Sequence, residues 1–196
     1  MILLAALLLG LLAGWGLASW QRRAYRAPEF KSVWLVFAAF APQVLVAYWP
    51  GAVEFVPPRM AAATLPVSLT IFLVFVWLNR RLPGMFVVLA GLVLNLAVIT
   101  ANGGWMPISP ETASRLPGGS APEAAAVGTR LGEKDVLLRP EDTRLEFLAD
   151  RNLIPDLFGY RAAFSIGDVF VAAGAFWLLA RPPVGVVTDR SGDAYN

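Results

Sequence analysis

Cysteine and histidine are both missing from the 196 residues, and charged residues make up only 15% of them. Without cysteine there is no disulfide, and nothing that reports a redox compartment. Without either residue, Cys/His zinc sites, His-ligated haem and the Cys–His and Ser–His nucleophile pairs are excluded. Any chemistry has to be built from carboxylates, hydroxyls, amides, lysine or arginine, and no motif implies a metal or a cofactor. The shortage of charge is informative too. Soluble domains carry about 25% charged and about 45–50% apolar residues, whereas this chain is 57% hydrophobic with a mean hydropathy of +0.60. The net charge is +2 and the basic residues are scattered, which leaves no footprint for nucleic acid. Composition therefore places the chain among membrane proteins.

What the chain has instead is long apolar runs. Five of them, approximately Ile2–Trp20, Val33–Trp49, Ala61–Leu78, Met85–Ala101 and Phe164–Leu179, read as long enough to cross a hydrocarbon core of about 30 Å, which needs roughly 20 helical residues. Lys, Arg and Glu are absent from all five, and Asp168 is the one acidic residue within them. Unpaired backbone groups cannot face lipid, and nothing alternates as a barrel strand would, so the runs read as helices. The expected fold is all-α: a polytopic membrane bundle of five transmembrane helices with an extracytoplasmic segment containing short helices. The first four helices fall in residues 1–101, the extracytoplasmic segment in 102–163, the fifth helix in 164–181 and a tail in 182–196.

Basic residues set the orientation. Arg22, Arg23, Arg26 and Lys31 follow the first run, Arg80 and Arg81 the third, and Arg181 the fifth, while the link after the second has only Arg59. The positive-inside bias puts the first and third links and the C-terminus in the cytoplasm, with the N-terminus and residues 102–163 outside. The first run has its charges behind it rather than ahead, so it is expected to be retained rather than cleaved as a signal peptide. It also carries Ala6, Gly10, Gly14 and Ala18, a small-residue stripe that lets another helix approach closely, within the chain or in a homo-oligomer. Trp15, Trp20, Trp34, Tyr48, Trp49, Trp77, Trp105 and Trp177 fall mostly near run ends, where aromatic rings anchor at the membrane interface.

The exit from the fourth run, TANGGWMPISPET (100–112), is unusually particular. Gly103 and Gly104 permit a sharp reversal, Trp105 anchors it, and Pro107 stops a helix from resuming. Ser109 suits an N-cap, Pro110 the first helical position, and Glu111 the positive end of the dipole. After Pro117-Gly118-Gly119 the composition predicts flexible chain. From Pro140 a short amphipathic helix is expected. Leu145, Phe147 and Leu148 make its apolar side, and Glu141, Arg144, Asp150 and Arg151 its polar side. It would lie on the outer surface or cap the bundle, with Pro155 bending the chain back.

Inside the runs, polar residues are few. Asn95 and Asn102, seven apart, share a face of a regular helix, and so do Ser165 and Asp168, three apart. An intramembrane carboxylate costs about 2.5–3.5 kcal/mol on insertion scales and needs a partner. The nearest basic candidates are Arg144, Arg151 and Arg161. If the turn at 103–107 folds the outer segment back over the helices, a shallow polar spot results. The candidate binding cluster is Asn95, Asn102, Trp105, Asp142, Arg144, Asp150, Arg151, Ser165 and Asp168; no catalytic residue is assigned.

Three motifs, NGGWMPISPE (102–111), DTRLEFLADRNLIP (142–155) and FSIGD (164–168), resemble the signatures of an uncharacterised family of small bacterial membrane proteins, domain of unknown function 5317. The likeness covers essentially the whole chain. It implies a multi-span protein of a bacterial cytoplasmic membrane, and no activity, ligand or catalytic residue. SIGD is also similar to the Gly-x-Gly-Asp motif of intramembrane aspartyl proteases. Ser165 replaces the first glycine, however, and no second Asp lies in a run, whereas that chemistry needs two carboxylates at one site. The expected function is therefore non-enzymatic: an accessory subunit, or a binding module for a partner protein or lipid-like ligand at the outer leaflet. Expected partners are membrane lipid and another membrane protein or a second copy of the chain. The alternatives are a carboxylate-dependent hydrolase or transferase at the outer surface, and a small transporter. Against the latter, five runs do not halve into repeats and no line of ionisable groups crosses the membrane.

Overall fold

A computed structural model of the chain describes residues 2–48, 57–116, 127–132, 134–154 and 161–181. Most of the stretch expected to be flexible after Leu116, the bend at Pro155 and the tail from 182 lie outside them. The described residues are mostly helical: α1 Ile2–Trp20, α2 Trp34–Tyr48, α3 Pro58–Leu78, α4 Met85–Ala101, α5 Pro110–Ser114 and α6 Ile166–Ala180. Two helices, Ile2–Trp20 and Arg59–Leu78, are long and apolar enough to cross a membrane. The other apolar helices, α2, α4 and α6, have 15, 17 and 15 residues, a rise of about 22–26 Å against a core of about 30 Å. The expectation of five full-length spans is corrected accordingly, to two long helices and three shorter ones. Helix α4 begins only after Gly84, held at φ 77°, and α6 begins only at the Ser165 cap.

The five apolar helices pack in the row α1–α6–α4–α3–α2, and among the described residues no other pair of them makes more than marginal contact. Glycine sets the close approaches. A Cβ on Gly10 would sit 2.8 Å from the Phe176 carbonyl oxygen, and one on Gly14 would collide with the Leu179 carbonyl and the Tyr25 ring. The glycines of the α1 stripe are thus used against α6 of the same chain. The α4–α6 seam is built the same way. Gly91 meets the backbone of Gly167 and Val171, and Gly174 meets Val88 and the Gly84 carbonyl, with an added Cβ only 2.5–2.8 Å from these neighbours. Beside this seam lies the main apolar core of Leu35, Phe75, Val76, Met85, Val88, Leu92 and Leu178.

The two ends of the row differ. At one end, Tyr25 Oη donates to the Leu179 carbonyl (3.2 Å), and Asn79 bonds both backbone groups of Lys31 (2.7 and 3.0 Å), so the basic links gather there. At the other end sits a small cap. Strands β1 Met106–Ile108, β2 Arg130–Leu131 and β3 Asp135–Leu137 form a sheet in the order β1-β3-β2, with β1 parallel and β2 antiparallel to β3. Strands β4 Asn152–Leu153 and β5 Ala163–Phe164 pair antiparallel. The expectation of an all-α chain is corrected here. Pro107, read from the sequence as a helix stop, lies inside β1. It is tolerated because Met106 N–H and the Ile108 carbonyl make the bonds to the β3 side (2.9 and 3.1 Å), while the Pro107 carbonyl turns the other way and accepts from Asp150 N–H (3.1 Å).

The turn at NGGW explains how the cap docks. Gly103 and Gly104 both have positive φ, 77° and 94°, and Gly104 N–H returns to the Ile99 carbonyl (2.9 Å), closing the end of α4 as a Schellman motif. Gly104 then lies against the Ala62 carbonyl so closely that any Cβ would overlap it. That carbonyl is the one Pro66, inside α3, cannot bond because it lacks an N–H. The helix α5 starts as expected, with Ser109 Oγ accepting from Thr112 N–H (3.1 Å) and Pro110 in the first turn.

The amphipathic helix expected from Pro140 does not form. In its place stand two single 3-10 turns, Pro140–Asp142 and Glu146–Leu148. Asn102 supplies the reason: its Oδ1 accepts from Arg144 N–H (3.0 Å) and its Nδ2 donates to the Arg144 carbonyl (2.8 Å). A residue whose backbone donor and acceptor are both taken by a side chain cannot pass them to a helix. Leu145, next in line, is turned into the left-handed region at φ 55°.

Candidate functional site

The polar junction beneath the cap begins as a helix start. Ser165 caps α6, its Oγ accepting from Asp168 N–H (3.0 Å), and Asp168 Oδ2 accepts in return from Ser165 N–H (3.2 Å). This is a capping box, with Asp in the position more often held by Glu or Gln. The groups left over reach across to α4. Asn95 Nδ2 donates to Asp168 Oδ1 (2.8 Å), and the Ser165 hydroxyl donates to Asn95 Oδ1 (2.9 Å). Both ends of one amide therefore tie α6 to α4. Gly167 makes room for it, because a Cβ there would fall on Asn95 Oδ1.

In this junction the Asp168 carboxylate is met by an amide and a backbone N–H, where the sequence suggested an arginine. Arg144 takes part through its backbone, on Asn102. Arg151 pairs with Glu146 at 2.9 Å on the exposed surface.

A second group lies next to it. Asp150 is pulled inward by the bond from its N–H to Pro107 and by its buried neighbours Leu148 and Ala149, leaving its side chain 0% exposed. Lys134, whose side chain is 50% exposed, enters from the approach to β3 and makes an ion pair with it. The Lys134 ammonium also stands 3.5 Å from Asp135. One oxygen each of Asp135 and Asp150 is buried with no hydrogen-bond partner among the described residues. Burial works against the Lys134 charge, but Asp150, Asp135 and Asp168 outweigh it and hold the ammonium above its ordinary range. Burial lifts the Asp135 carboxyl from its ordinary 3.8 to about 6, with Lys134 opposing and Asp150 and Asp168 adding. Asp150 is pushed upward as well, because burial outweighs its pairing with Lys134. The field of Asp168 reaches all three, which joins the two groups electrostatically.

A pH dependence follows from Asp135. The folded chain holds its proton more tightly than the unfolded chain, so stability falls as pH rises through roughly pH 4 to 6. Going from pH 5 to pH 7.5 is expected to remove on the order of 1 kcal/mol of stability through this group. Thermal unfolding in detergent at the two pH values checks it, and Asp135→Asn should flatten the difference. An unchanged difference in that variant would assign the slope elsewhere.

Of the nine residues proposed from sequence, Asn95, Ser165 and Asp168 are joined directly, and Asp150 pairs instead with Lys134. Asn102 and Arg144 form the clamp on the cap loop. The other three stand apart in surface pairs. Trp105 lies under the Arg130 guanidinium, 3.9 Å from the ring centroid. Asp142 pairs with Arg139 (2.8 Å) and Arg151 with Glu146. Sequence reasoning missed Lys134 and Asp135, whose one signal is a Lys-Asp pair set in a stretch rich in small residues. It also missed Gly84, Gly91, Gly167 and Gly174, which recur at seven-residue spacing on two helices.

The chemistry available here is limited. A lysine held in its charged form is no base, and the Ser165 hydroxyl already donates to Asn95 while accepting from Asp168 N–H. Among the described residues no group of three or more acidic side chains is arranged to hold a metal ion.

Residues 28–180, over three quarters of the chain, match the model of a family described as "Family of unknown function (DUF5317)". The matched span includes the α4–α6 seam, the polar junction, the sheet and the clamped loop. No curated protein and no solved structure matches the chain. By the extent of that match the chain belongs to DUF5317, a family of unknown function.

Proposed function

We propose that the chain is an integral membrane protein with all five apolar helices in the bilayer. Its basic end would face the cytoplasm and its cap the outside. It would act as a non-enzymatic accessory subunit, or as a binding module for a partner protein or lipid-like ligand at the outer leaflet. The observation that carries this reading is the single row of helices. A water-soluble domain hides its apolar surface between packed layers, but one row has two uncovered faces. Here they carry large apolar side chains such as Phe37 and Phe86, exposed by 73% and 63%. Water does not tolerate so extensive an apolar surface, whereas lipid covers it at no cost. Helices α2, α4 and α6 fall a few ångströms short of an average core, a mismatch that local thinning of the bilayer absorbs for fractions of a kcal/mol per Å. The non-enzymatic reading is supported by the junction, whose amide, hydroxyl and carboxylate are spent on one another.

Membrane extraction and labelling test this. Because the chain has no cysteine, Glu141→Cys and Arg80→Cys each give a unique thiol at the two ends of the row. Resistance to alkaline carbonate, with Glu141→Cys labelled by an impermeant maleimide in intact cells and Arg80→Cys only after permeabilisation, is the expected pattern. Release by carbonate or the reverse labelling overturns the reading. Co-purification from native membrane with a stoichiometric protein or a retained lipid identifies the partner. A turnover abolished by Asp168→Asn in a folded chain would replace the binding role with an enzymatic one.

A further inference from the structure

We propose that the turn at residues 144–148 is an interfacial foot, seating Leu145 and Phe147 in the boundary between headgroups and acyl chains of the outer leaflet. The inference rests on the membrane-embedded reading above and deepens it by naming a surface and its occupant, a phospholipid. Its position comes from Asn102, the residue that ends α4, which grips both backbone groups of Arg144. The foot therefore stands at the level where α4 leaves the row, and the Glu146–Leu148 turn packs against both α4 and α6.

Its side chains are sorted in an unusual way. Leu148 is buried against Val98, Ile99 and Met106. Leu145 and Phe147, on either side of the paired Glu146, stay 41% and 55% exposed. Leu145 is also held at φ 55°, ψ 44°, a conformation that is strained for a bulky residue and persists where surrounding contacts impose it. The clamp imposes it, and the result is two large apolar side chains presented outward from a capped end. On α6, which this turn touches, Ile166, Val169 and Phe170 are exposed as well. Arg144, exposed beside Leu145, brings a guanidinium suited to the phosphodiester of a headgroup. An apolar pair with an adjacent cation at the end of membrane helices matches the chemistry of a phospholipid interface.

The test uses single cysteines in the full chain: Phe147→Cys in the foot, Val93→Cys on the exposed face of α4, and Glu141→Cys in the water-facing part of the cap. Each is labelled with an environment-sensitive fluorophore and reconstituted into phosphatidylcholine–phosphatidylglycerol vesicles. Emission from the Phe147 site should shift to the blue, with quenching by shallow-brominated lipid roughly twofold or more above that at the Glu141 site. A water-like Phe147 site beside a lipid-like Val93 site overturns the foot and leaves the membrane reading standing. A water-like Val93 site overturns the membrane reading, and the foot with it. A Phe147 site that is shielded in native membrane but water-like in the lipid vesicles assigns the surface to a protein partner and also overturns the proposal. Matching unfolding temperatures of the three labelled chains establish that all report on the folded protein.

Discussion

Gly167→Ala is expected to destabilise the chain by about 3–5 kcal/mol, in the range that marks overpacking combined with loss of a buried polar network. One methyl group is enough because of where it goes. A Cβ at Gly167 lands on Asn95 Oδ1, 2.6 Å from Asn95 Cγ and 2.8 Å from the Gly91 carbonyl oxygen. The carbonyl belongs to the α4 backbone and cannot rotate away. Asn95 can, but then its bonds to Asp168 and Ser165 are lost, and Ser165 is fully buried. Either the seam widens or the network breaks. Gly16→Ala on α1 is the control, since a Cβ there meets nothing within 4 Å. That change should be neutral or stabilising by up to about 1 kcal/mol, from helix propensity alone. Both are read by unfolding in detergent micelles. A Gly167→Ala variant as stable as Gly16→Ala would mean that α4 and α6 do not approach as described.

Asn95→Asp should cost more than Asn95→Leu, although Asp is the closer match in shape. At this position the amide donates through Nδ2 to Asp168 and accepts through Oδ1 from Ser165. Leucine removes both bonds and strands two polar groups, for about 1–3 kcal/mol each. Aspartate keeps the acceptor for Ser165 but turns the donor into a carboxylate facing the Asp168 carboxylate, where a 2.8 Å hydrogen bond had been. Like charges at that separation in a largely apolar seam cannot both ionise without severe strain. The expected order of stability is wild type, Asn95→Leu, Asn95→Asp. In a double-mutant cycle with Asp168→Asn, Asn95→Asp should recover part of its loss, because one carboxylate then faces an amide. Asn95→Asp as stable as wild type would show that the amide does not bridge these two helices.

The parts of this molecule that depend on short stretches of chain could be read in advance. Helices α1 and α4 coincide with the apolar runs Ile2–Trp20 and Met85–Ala101. The Ser109 cap also behaves as its local chemistry dictates. Where the reading of the sequence failed, a distant residue had overridden a local preference. Residues 140–151 carry an amphipathic pattern, yet Asn102, some forty positions away, takes the backbone of Arg144 and splits the segment into two turns. Pro107 looked like punctuation and became part of a strand, because β3 arrives on the edge of β1 that its ring does not obstruct.

The candidate site divides along the same line. Ser165 and Asp168 were legible as a pair because three residues apart at a helix start is a local relation. Their link to Asn95 was not, since it depends on how α6 is rotated and how closely it lies against α4. Glycines at 84, 91, 167 and 174 make that approach possible, but without a known neighbour they are only small residues. Lys134 was hidden for a similar reason, its partner Asp150 being brought to it by the bond to Pro107.

The sequence by itself therefore determined how apolar this chain is, the places where its long apolar helices run and the links that carry its basic charge. Composition, run length and charge order are additive along a chain and need no neighbour to express them. Tertiary structure alone decided the order of the helices, the amide that meets Asp168 and the broken turn that holds Leu145 outward. Each of these is a contact between residues far apart in sequence, set by backbone surfaces that become adjacent only when the chain has folded.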